Sequence, residues 1–415
     1  MRHVIIGGGP AGIVAAETLR KGDPSADITI LNGERVPPYS RMAIPYLLNQ
    51  EIDEAGTYLR KDPGHYERLG LKLVDLSAST VDTVNRTVKL DNGESLPYDR
   101  LLIATGSLPS FQNIPGIDLP GVHACWTLAD VHAITARAKP GTRIVQMGAG
   151  FCGCIIIQGL LGYKFDLTIL VRSGRMVSRM MTPTASAMMK RWCESKGVRV
   201  LVNTQSEKIT AVNGALEVTV TGGQVLPADI FLSLVGVNAN TGFLAGSGIN
   251  VNWGVVVDET MQTNVPGVYA AGDVAEFTDC ITGERTTNAI QPNAVDQGRI
   301  AAHNMLGQQD SSRGSFAFNV LNTLGLISCS FGAWGGVPGG EAAELVDEER
   351  YRYLHLEFKD DYLVGACGVG FIDHIGVLRG LIEGKVQLGE WKQRLLRDPT
   401  RVMEAHLARA QFALV

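Results

Sequence analysis

The sequence lacks any regular pairing of its cysteines. Zinc sites, iron–sulfur clusters and disulfide frameworks are usually recognised by short, repeated cysteine spacings. No two cysteines here form a Cys-x-x-Cys pair, so the spacing predicts none of the three, and we predict no metal site. The seven cysteines are Cys125, Cys152, Cys154, Cys193, Cys280, Cys329 and Cys367.

Excess positive charge and long apolar runs are also missing. Lys and Arg number 37 against 42 Asp and Glu, which excludes a polybasic surface of the kind that holds nucleic acid or anionic lipid. The longest apolar stretches, such as residues 155–157, are far shorter than the roughly 18 residues of a membrane span. The amino terminus enters an apolar strand at once, without the pattern of an export signal. We therefore predict a soluble, cytoplasmic protein with no membrane span and no nucleic-acid partner.

Glycine, in contrast, is abundant, at 48 of 415 residues, where average proteins have roughly 7%. Because the apolar share is an ordinary 45%, this excess indicates tight turns and close backbone approaches to a ligand, not disorder. At roughly 150 residues per domain, the length predicts about three domains.

The first informative glycines follow the amino-terminal strand. An apolar strand at residues 3–6 runs into Gly7-Gly8-Gly9-Pro10-Ala11-Gly12, then a helical segment, then a second strand at residues 28–31. This order is typical of a βαβ dinucleotide-binding unit, in which the glycines permit a tight turn, close approach to a pyrophosphate and close helix packing. The helix N-terminus offers its unpaired N–H groups to the phosphates.

The same unit occurs a second time. A strand at residues 143–147 leads into Gly148-Ala149-Gly150-Phe151-Cys152-Gly153, a helical segment to Leu161 and another strand at residues 167–171. A single glycine turn also occurs as a plain strand–helix connection, but two complete units predict two nucleotide sites and favour two cofactors.

At this point the chain resembles the superfamily of FAD-dependent pyridine nucleotide-disulfide oxidoreductases. Residues 104–106, Ala-Thr-Gly, are similar to that family's crossing between the FAD and NAD domains. Gly272-Asp273 ends another apolar strand, as in the family segment whose aspartate hydrogen-bonds the ribityl chain of FAD. The segment that begins at Gln297 resembles the family helix whose N-terminus faces the flavin ring, where the helix dipole favours negative charge.

The resemblance implies an α/β fold with two Rossmann-like dinucleotide-binding domains and a C-terminal α+β domain. The FAD domain comprises residues 1–110 and 241–310, the inserted NAD(P) domain residues 111–240 and the C-terminal domain residues 311–415. In the last of these, alternating residues at 351–358 and 362–369 predict a hairpin, and helical patterns follow at residues 376–383 and 388–396. This tail is similar to that of rubredoxin reductases and of the flavin portion of assimilatory nitrite reductases.

The chemistry beside the flavin is indicated by the segment Pro38-Tyr39-Ser40-Arg41-Met42. Disulfide reductases of the superfamily carry a cysteine pair near the first FAD helix, and this chain has no cysteine before Cys125. Relatives with one catalytic cysteine would have it at Met42, whose thioether cannot act as a thiolate. In the rubredoxin reductase and nitrite reductase subgroup, the residue that matches Arg41 lies close to the flavin. There a guanidinium would stabilise the negative charge of the reduced ring, so Arg41 is the predicted catalytic residue; the alternative is an arginine on a solvated loop.

Several positions depart from the family pattern. Ile155 stands where relatives carry a glutamate near the nicotinamide. The acidic residue that binds the ribose of NAD is replaced by Val171, and the neighbouring Arg172 would suit the 2′-phosphate of NADP or lie in solvent, so NAD and NADP both stay open. In the FAD unit, Asn32 and Glu34 are both candidates for the ribose, and either could also be a turn residue.

The predicted binding residues comprise both glycine turns, the strand ends and the crossings. The predicted FAD-binding residues are Gly7, Gly9, Pro10, Ala11, Gly12, Asn32, Glu34, Arg41, Ala104, Thr105, Gly106, Gly272, Asp273 and Gln297. The predicted residues of the NAD(P) unit and its return crossing are Gly148, Gly150, Phe151, Cys152, Gly153, Arg172 and Gly236.

The resemblance implies an FAD-dependent oxidoreductase that exchanges hydride with NAD(H) or NADP(H) and single electrons with an external carrier. The implied partner is an iron–sulfur or rubredoxin-like protein. One candidate family is the flavoprotein subunit of tungsten-dependent aldehyde oxidoreductase complexes, with the tungsten catalytic subunit as a further partner. Two alternatives stay open, a self-contained NADH oxidase or quinone reductase, and a flavin-bound, redox-sensitive interaction protein like apoptosis-inducing factor.

Overall fold

The computed structural model describes residues 1–371 and 373–409, and the chain divides into two units. The first unit contains residues 1–47, 52–108 and 237–316, and the second contains residues 48–51, 109–236 and the chain from residue 317 onward. Among the described residues, none of the helices is both long enough and apolar enough to cross a membrane.

The first unit is built on a sheet of five parallel strands. In spatial order the strands are Val268–Ala270, Arg100–Ile103, Arg2–Ile6, Asp27–Leu31 and Leu71–Val74. The two strands predicted from the first glycine unit lie side by side, with His3 opposite Ile28. Both are buried along almost their whole length, as expected for the centre of a sheet that is covered on both faces.

Shorter elements complete the first unit. Its α-helices are Pro10–Gly22, Ile44–Leu48, Glu54–Thr57, His65–Arg68 and Gln291–Met305, with 3-10 turns at Arg41–Ala43 and Gly242–Leu244. Its smaller sheets contain the strands Ala78–Asp82, Thr87–Leu90 and Ser95–Pro97, the strands Val255–Val256, Ala275–Thr278 and Arg285–Thr286, and the pair Ser107–Pro109 and Val237–Ala239.

The second unit contains another sheet of five parallel strands. In spatial order these are Arg199–Val202, Asp166–Val171, Arg143–Met147, Ile230–Ser233 and Val122–His123. An antiparallel sheet accompanies it, with the strands Ser206–Val212, Ala215–Val220 and Val225–Ala228. The helices of this part are Leu128–Thr135, Phe151–Ile155, Ile157–Gly162 and Pro183–Ser195.

The predicted C-terminal hairpin is confirmed as part of a five-stranded antiparallel sheet. In spatial order its strands are Phe318–Thr323, Leu326–Gly332, Tyr362–Val369, Arg352–Lys359 and Glu341–Asp347. The helices Ile375–Glu383, Glu390–Arg397 and Val402–Arg409 follow, with a 3-10 turn at Pro399–Arg401. The first two match the predicted helical patterns. Residues 410–415 of the predicted C-terminal domain lie outside the described residues.

One sequence prediction is wrong in detail. The helix predicted to run from the second glycine turn to Leu161 is interrupted, because one helix ends at Ile155 and the next begins at Ile157. Two glycines and three β-branched isoleucines fall within residues 151–161, and both residue types are poorer helix formers than alanine or leucine.

A partly buried hydrogen-bonded chain joins the helix Pro183–Ser195 to the C-terminal sheet inside the second unit. The Thr182 hydroxyl, which caps this helix, donates to the Tyr353 hydroxyl at 2.8 Å, and Tyr353 donates to Glu344 Oε1 at 2.7 Å. The same carboxylate lies 3.0 Å from His355 Nδ1. Burial raises the pKa of Tyr353, so its hydroxyl stays protonated and can serve as the donor.

Removing the Tyr353 hydroxyl should destabilise the second unit. Tyr353 is fully buried, whereas Thr182 and Glu344 are partly accessible to water, so for Tyr353→Phe we expect a loss of about 0.5–1.5 kcal/mol in unfolding free energy. Chemical denaturation measures it. Tyr362→Phe, on the partner strand with a 37% exposed side chain, is the control and should cost much less. Equal effects of the two substitutions would contradict a role for this chain in stability.

Candidate functional site

The first glycine turn is closed by backbone contacts that only glycine permits. Gly7 has a φ of +119°, and a Cβ atom there would lie 2.2 Å from the carbonyl oxygen of Ala104. A Cβ atom at Gly12 would lie 2.0 Å from the carbonyl oxygen of Gly7. At Gly9, in contrast, no described atom lies within 4 Å of the Cβ position. The turn is therefore packed tightly against its own sheet and open at Gly9, where a dinucleotide pyrophosphate could approach.

The helix Pro10–Gly22 starts directly from this turn. Gly9 is its N-cap and Pro10 is its first residue, so no side chain occupies the cap position. The helix packs closely on Gln291–Met305, because a Cβ atom at Gly298 would lie 2.4 Å from the carbonyl oxygen of Ala11. The N–H groups of the first turn and the positive end of the helix dipole are thus available to an anion.

The helix that contains Gln297 begins earlier than its sequence segment suggests. It starts at Gln291, whose side chain accepts a hydrogen bond from the Ser40 hydroxyl. Gln297 therefore lies in the middle of the helix, and its side chain accepts a hydrogen bond of 2.8 Å from the backbone N–H of Gly272. Gln297 thus holds the strand end that carries Asp273.

Asp273 lies at the end of the strand Val268–Ala270, next to the first turn. Its carboxylate accepts a hydrogen bond of 2.9 Å from the Ser107 hydroxyl. Burial raises the pKa of Asp273, while the Ser107 hydrogen bond and the positive charge of Arg41 act in the opposite direction. The net pKa is raised, so the folded chain contains a carboxylate that its own residues stabilise less well than water does.

Arg41 is held by two residues of its own loop. Its guanidinium pairs with Glu34 Oε1 and donates to the Tyr39 hydroxyl at 3.1 Å. Tyr39 in turn donates to Glu34 Oε2 at 2.6 Å. Glu34, one of the two candidates for the ribose, is thus engaged with Arg41 in this structure, and Arg41 does not lie on an unattached loop.

Asn32, the other ribose candidate, follows the strand Asp27–Leu31 and is buried. Its side-chain amide donates to the carbonyl oxygen of Val36 at 2.7 Å and to Asp75 Oδ1 at 3.1 Å. Its side-chain oxygen lies beside Gly8, where a Cβ atom would come within 2.8 Å of it. Asn32 therefore shapes the first turn as well as lying at the strand end expected to meet a ribose.

The predicted crossing at residues 104–106 pairs with the return segment. The Thr105 hydroxyl donates to the carbonyl oxygen of Asn240 at 2.8 Å, and the N–H of Asn240 donates to the carbonyl oxygen of Gly106 at 2.9 Å. Gly236 has a φ of +122°, a conformation that favours glycine. These bonds hold the crossing and the return segment together.

The second glycine turn repeats the geometry of the first. Gly148 has a φ of +108°, and a Cβ atom there would lie 2.2 Å from the carbonyl oxygen of Leu234. A Cβ atom at Gly153 would lie 2.5 Å from the carbonyl oxygen of Gly148. Gly150 is the N-cap of the helix Phe151–Ile155, and no described atom lies within 4 Å of its Cβ position.

Two other predicted residues flank this second turn. Cys152 lies in the first turn of the short helix and is partly buried, whereas its neighbour Cys154 is fully buried. Burial raises the pKa of the Cys154 thiol, so this cysteine is a packing residue and not a nucleophile. Arg172 directly follows the strand Asp166–Val171 and is exposed.

The sequence predictions missed two residues that form hydrogen bonds in the candidate site. Ser107, which donates to Asp273, carries no motif of its own. Gln146 is fully buried in the strand before the second turn, and its side-chain amide donates to the carbonyl oxygens of Gly148 and Gly153. The available signal was a single polar residue in the otherwise apolar segment Ile-Val-Gln-Met at residues 144–147.

Comparison with known proteins identifies the family. The model of the pyridine nucleotide-disulphide oxidoreductase family matches residues 1–298, which is more than half of the chain. The chain belongs to this family. It is an FAD-dependent oxidoreductase with NAD(P)H as its substrate, and the two open glycine turns and the strand-end carboxylate of Asp273 fit two dinucleotides.

The sequence of this oxidoreductase matches its relatives over most of its length. It is 28% identical over 404 residues to the NADH-dependent phenylglyoxylate dehydrogenase subunit epsilon of Aromatoleum evansii, covering 97% of this chain and 96% of the relative. It is 31% identical over 313 residues to a probable ferredoxin reductase of Castellaniella defragrans, covering 74% and 76% of the two chains. Among solved structures, a chain of the covalent putidaredoxin reductase–putidaredoxin complex matches with a TM-score of 0.89 at 21% identity, covering 98% of each chain. This last likeness shows the fold.

Replacing the Asp273 carboxylate by an amide should change protein stability and FAD affinity in opposite directions. Because the raised pKa means that ionised Asp273 destabilises the folded chain, Asp273→Asn should raise the stability of the flavin-free protein at pH 7. This gain should vanish as the pH falls towards the ordinary aspartate pKa of 3.8, where the wild-type group becomes neutral. The same variant should retain FAD at least about tenfold less tightly, since hydrogen bonds to a charged acceptor are the stronger ones.

Asp279→Asn is the matched control for this measurement. Asp279 is buried in the same unit, and its carboxylate accepts hydrogen bonds from the backbone N–H groups of Ile281 and Thr282 and from Asn288. Its replacement should destabilise the flavin-free protein. A loss of stability in the Asp273 variant at pH 7 would contradict the raised pKa, and unchanged FAD retention would overturn the prediction that Asp273 binds FAD.

Proposed function

We propose that this oxidoreductase passes electrons between NAD(P)H and a separate iron–sulfur carrier, with the flavin converting hydride to single electrons. The flavin supplies that conversion, while the protein orients the two nucleotides and stabilises charge. The relative named as a probable ferredoxin reductase supports a carrier of this class.

The observation that carries the proposal is the distribution of thiols. Cys280 is the only cysteine in residues 1–47, 52–108 and 237–316, which contain the first glycine turn, Arg41 and Asp273. A disulfide relay needs two thiols, and a single-cysteine mechanism would need one at Met42. Within this unit, electrons that leave the flavin therefore have no pair of thiols to pass through.

We further propose that the chain is the flavoprotein subunit of a larger redox complex. The relative from Aromatoleum evansii, which matches over nearly its whole length, is itself named as one subunit of an NADH-dependent dehydrogenase. A subunit in such a complex would meet its carrier as a neighbouring polypeptide. The tungsten-dependent aldehyde oxidoreductase stays a prediction for the identity of that complex, and so does a cytoplasmic location.

Anaerobic reduction of the purified chain, followed by separate steady-state assays with each acceptor, tests the proposal. We expect bound FAD, loss of its visible absorbance on addition of NADH or NADPH, and reduction of an added ferredoxin or rubredoxin at least about tenfold faster than reduction of oxygen. Oxygen or quinone reduction as fast as carrier reduction would instead support a self-contained oxidase or quinone reductase. A protein without flavin would contradict the proposal. Negligible turnover with every acceptor would also contradict it and would favour an interaction protein.

Arg41 is proposed to stabilise the negative charge that develops on the flavin as it accepts hydride. Arg41→Ala should slow flavin reduction by NAD(P)H by about tenfold or more with little change in FAD content. Stopped-flow absorbance measures the rate. Arg35→Ala is the control, because Arg35 lies in the same loop but pairs with Asp91 and has a 62% exposed side chain. An unchanged rate in the Arg41 variant would remove this residue from the mechanism.

A further inference from the structure

Gln146 is a buried polar residue that holds the second glycine turn from inside. Its side-chain Nε2 lies 2.9 Å from the carbonyl oxygen of Gly148 and 3.0 Å from that of Gly153. One amide therefore joins the first and the last glycine of the turn. In the part of the chain that the structure describes, its Oε1 has no hydrogen-bond partner, although the residue is 0% exposed.

The first turn shows that this position does not require a polar residue. Ile5 precedes Gly7 as Gln146 precedes Gly148, and both side chains lie under the last glycine of their turn. The Cβ position of Gly12 is 3.2 Å from Ile5 Cγ2, and that of Gly153 is 3.0 Å from Gln146 Nε2. The two turns therefore have the same backbone geometry. An apolar side chain lies under the first turn, and a hydrogen-bonding side chain lies under the second.

The helices that follow the two turns also differ. The first, Pro10–Gly22, is 13 residues long, while the second, Phe151–Ile155, ends after 5 residues. In a continuous helix the carbonyl oxygen of Gly153 would accept a hydrogen bond from the N–H of residue 157. Gln146 competes for that carbonyl, and the helix is interrupted between Ile155 and Ile157.

Stability alone does not explain a glutamine at this position. A buried polar atom without a partner is unfavourable, and ordering a long side chain costs conformational entropy. An isoleucine at the equivalent place in the first unit avoids both costs. Gln146 donates both of its hydrogen bonds to backbone carbonyl oxygens of the second glycine turn, so these bonds fix the shape of that turn.

We propose that Gln146 is a positioning residue for NAD(P)H. By holding the carbonyl oxygens of Gly148 and Gly153, it keeps the turn in the shape that receives the nucleotide pyrophosphate, and so it sets the affinity for NAD(P)H. The inference rests on the proposed function and on the sequence prediction that the second turn binds the nicotinamide nucleotide. It adds Gln146 to the glycines as a residue that determines the affinity for NAD(P)H.

Calorimetry with NADH and with NADPH on the FAD-loaded protein tests the inference. Gln146→Met has nearly the same length but no donor, and we expect its dissociation constant for the preferred nucleotide to rise about fivefold to tenfold. In steady-state kinetics the change should appear in the KM for that nucleotide more than in kcat. If Gln146→Met does not fold, Gln146→Ile, which copies Ile5, replaces it with the same expectation.

Val145→Ala is the control for a purely structural effect. Val145 is a buried neighbour whose side chain packs in the apolar cluster of the second unit, and consecutive side chains of a strand point to opposite faces. Val145→Ala should lower the Tm without changing the dissociation constant. A lowered Tm with unchanged affinity in the Gln146 variants as well would overturn the inference and leave the proposed function intact. A wild-type protein that binds neither nucleotide would overturn both.

Discussion

The close approach of backbone to backbone at the two glycine turns is the constraint on which the rest of the molecule depends. At Gly7 and at Gly148 a Cβ atom would lie 2.2 Å from a carbonyl oxygen of a neighbouring strand end. These contacts draw each turn onto its parallel sheet and leave Gly9 and Gly150 open on the other side. Because a close-packed interior leaves no room for even one methyl group there, the glycine pattern is a condition of the fold as well as of nucleotide binding.

The charged side chains of Asp273 and Arg41 act on each other in the first unit. Asp273 has a raised pKa, because burial outweighs the Ser107 hydrogen bond, the positive charge of Arg41 and a hydrogen bond from the backbone. Arg41 is itself held by Glu34 and Tyr39. A ligand whose hydroxyl groups donate to the Asp273 carboxylate would offset the unfavourable effect of burial on its charge.

Much of the fold was predictable because its signals are local. The strands before each glycine turn, the turns themselves and the C-terminal hairpin follow from apolar patterns and from residues that only one backbone shape allows. The hydrogen bond from Gln146 to the carbonyl oxygen of Gly153 was not predictable in the same way, because it joins a strand residue to the following helix and leaves no pattern along the chain. The partners of Glu34 and Asp273 also depend on residues brought together by folding, which spacing along the chain does not reveal.

The most direct test of electron transfer from the flavin to another molecule is to measure how many electrons the chain takes up. If the flavin is the only redox centre of this chain, an anaerobic titration with a calibrated reductant should consume about two electrons per bound FAD, with the flavin absorbance falling from the first addition. About four electrons per FAD would reveal a second centre, such as a reducible pair of cysteines, and would contradict the claim that electrons pass from the flavin directly to another molecule.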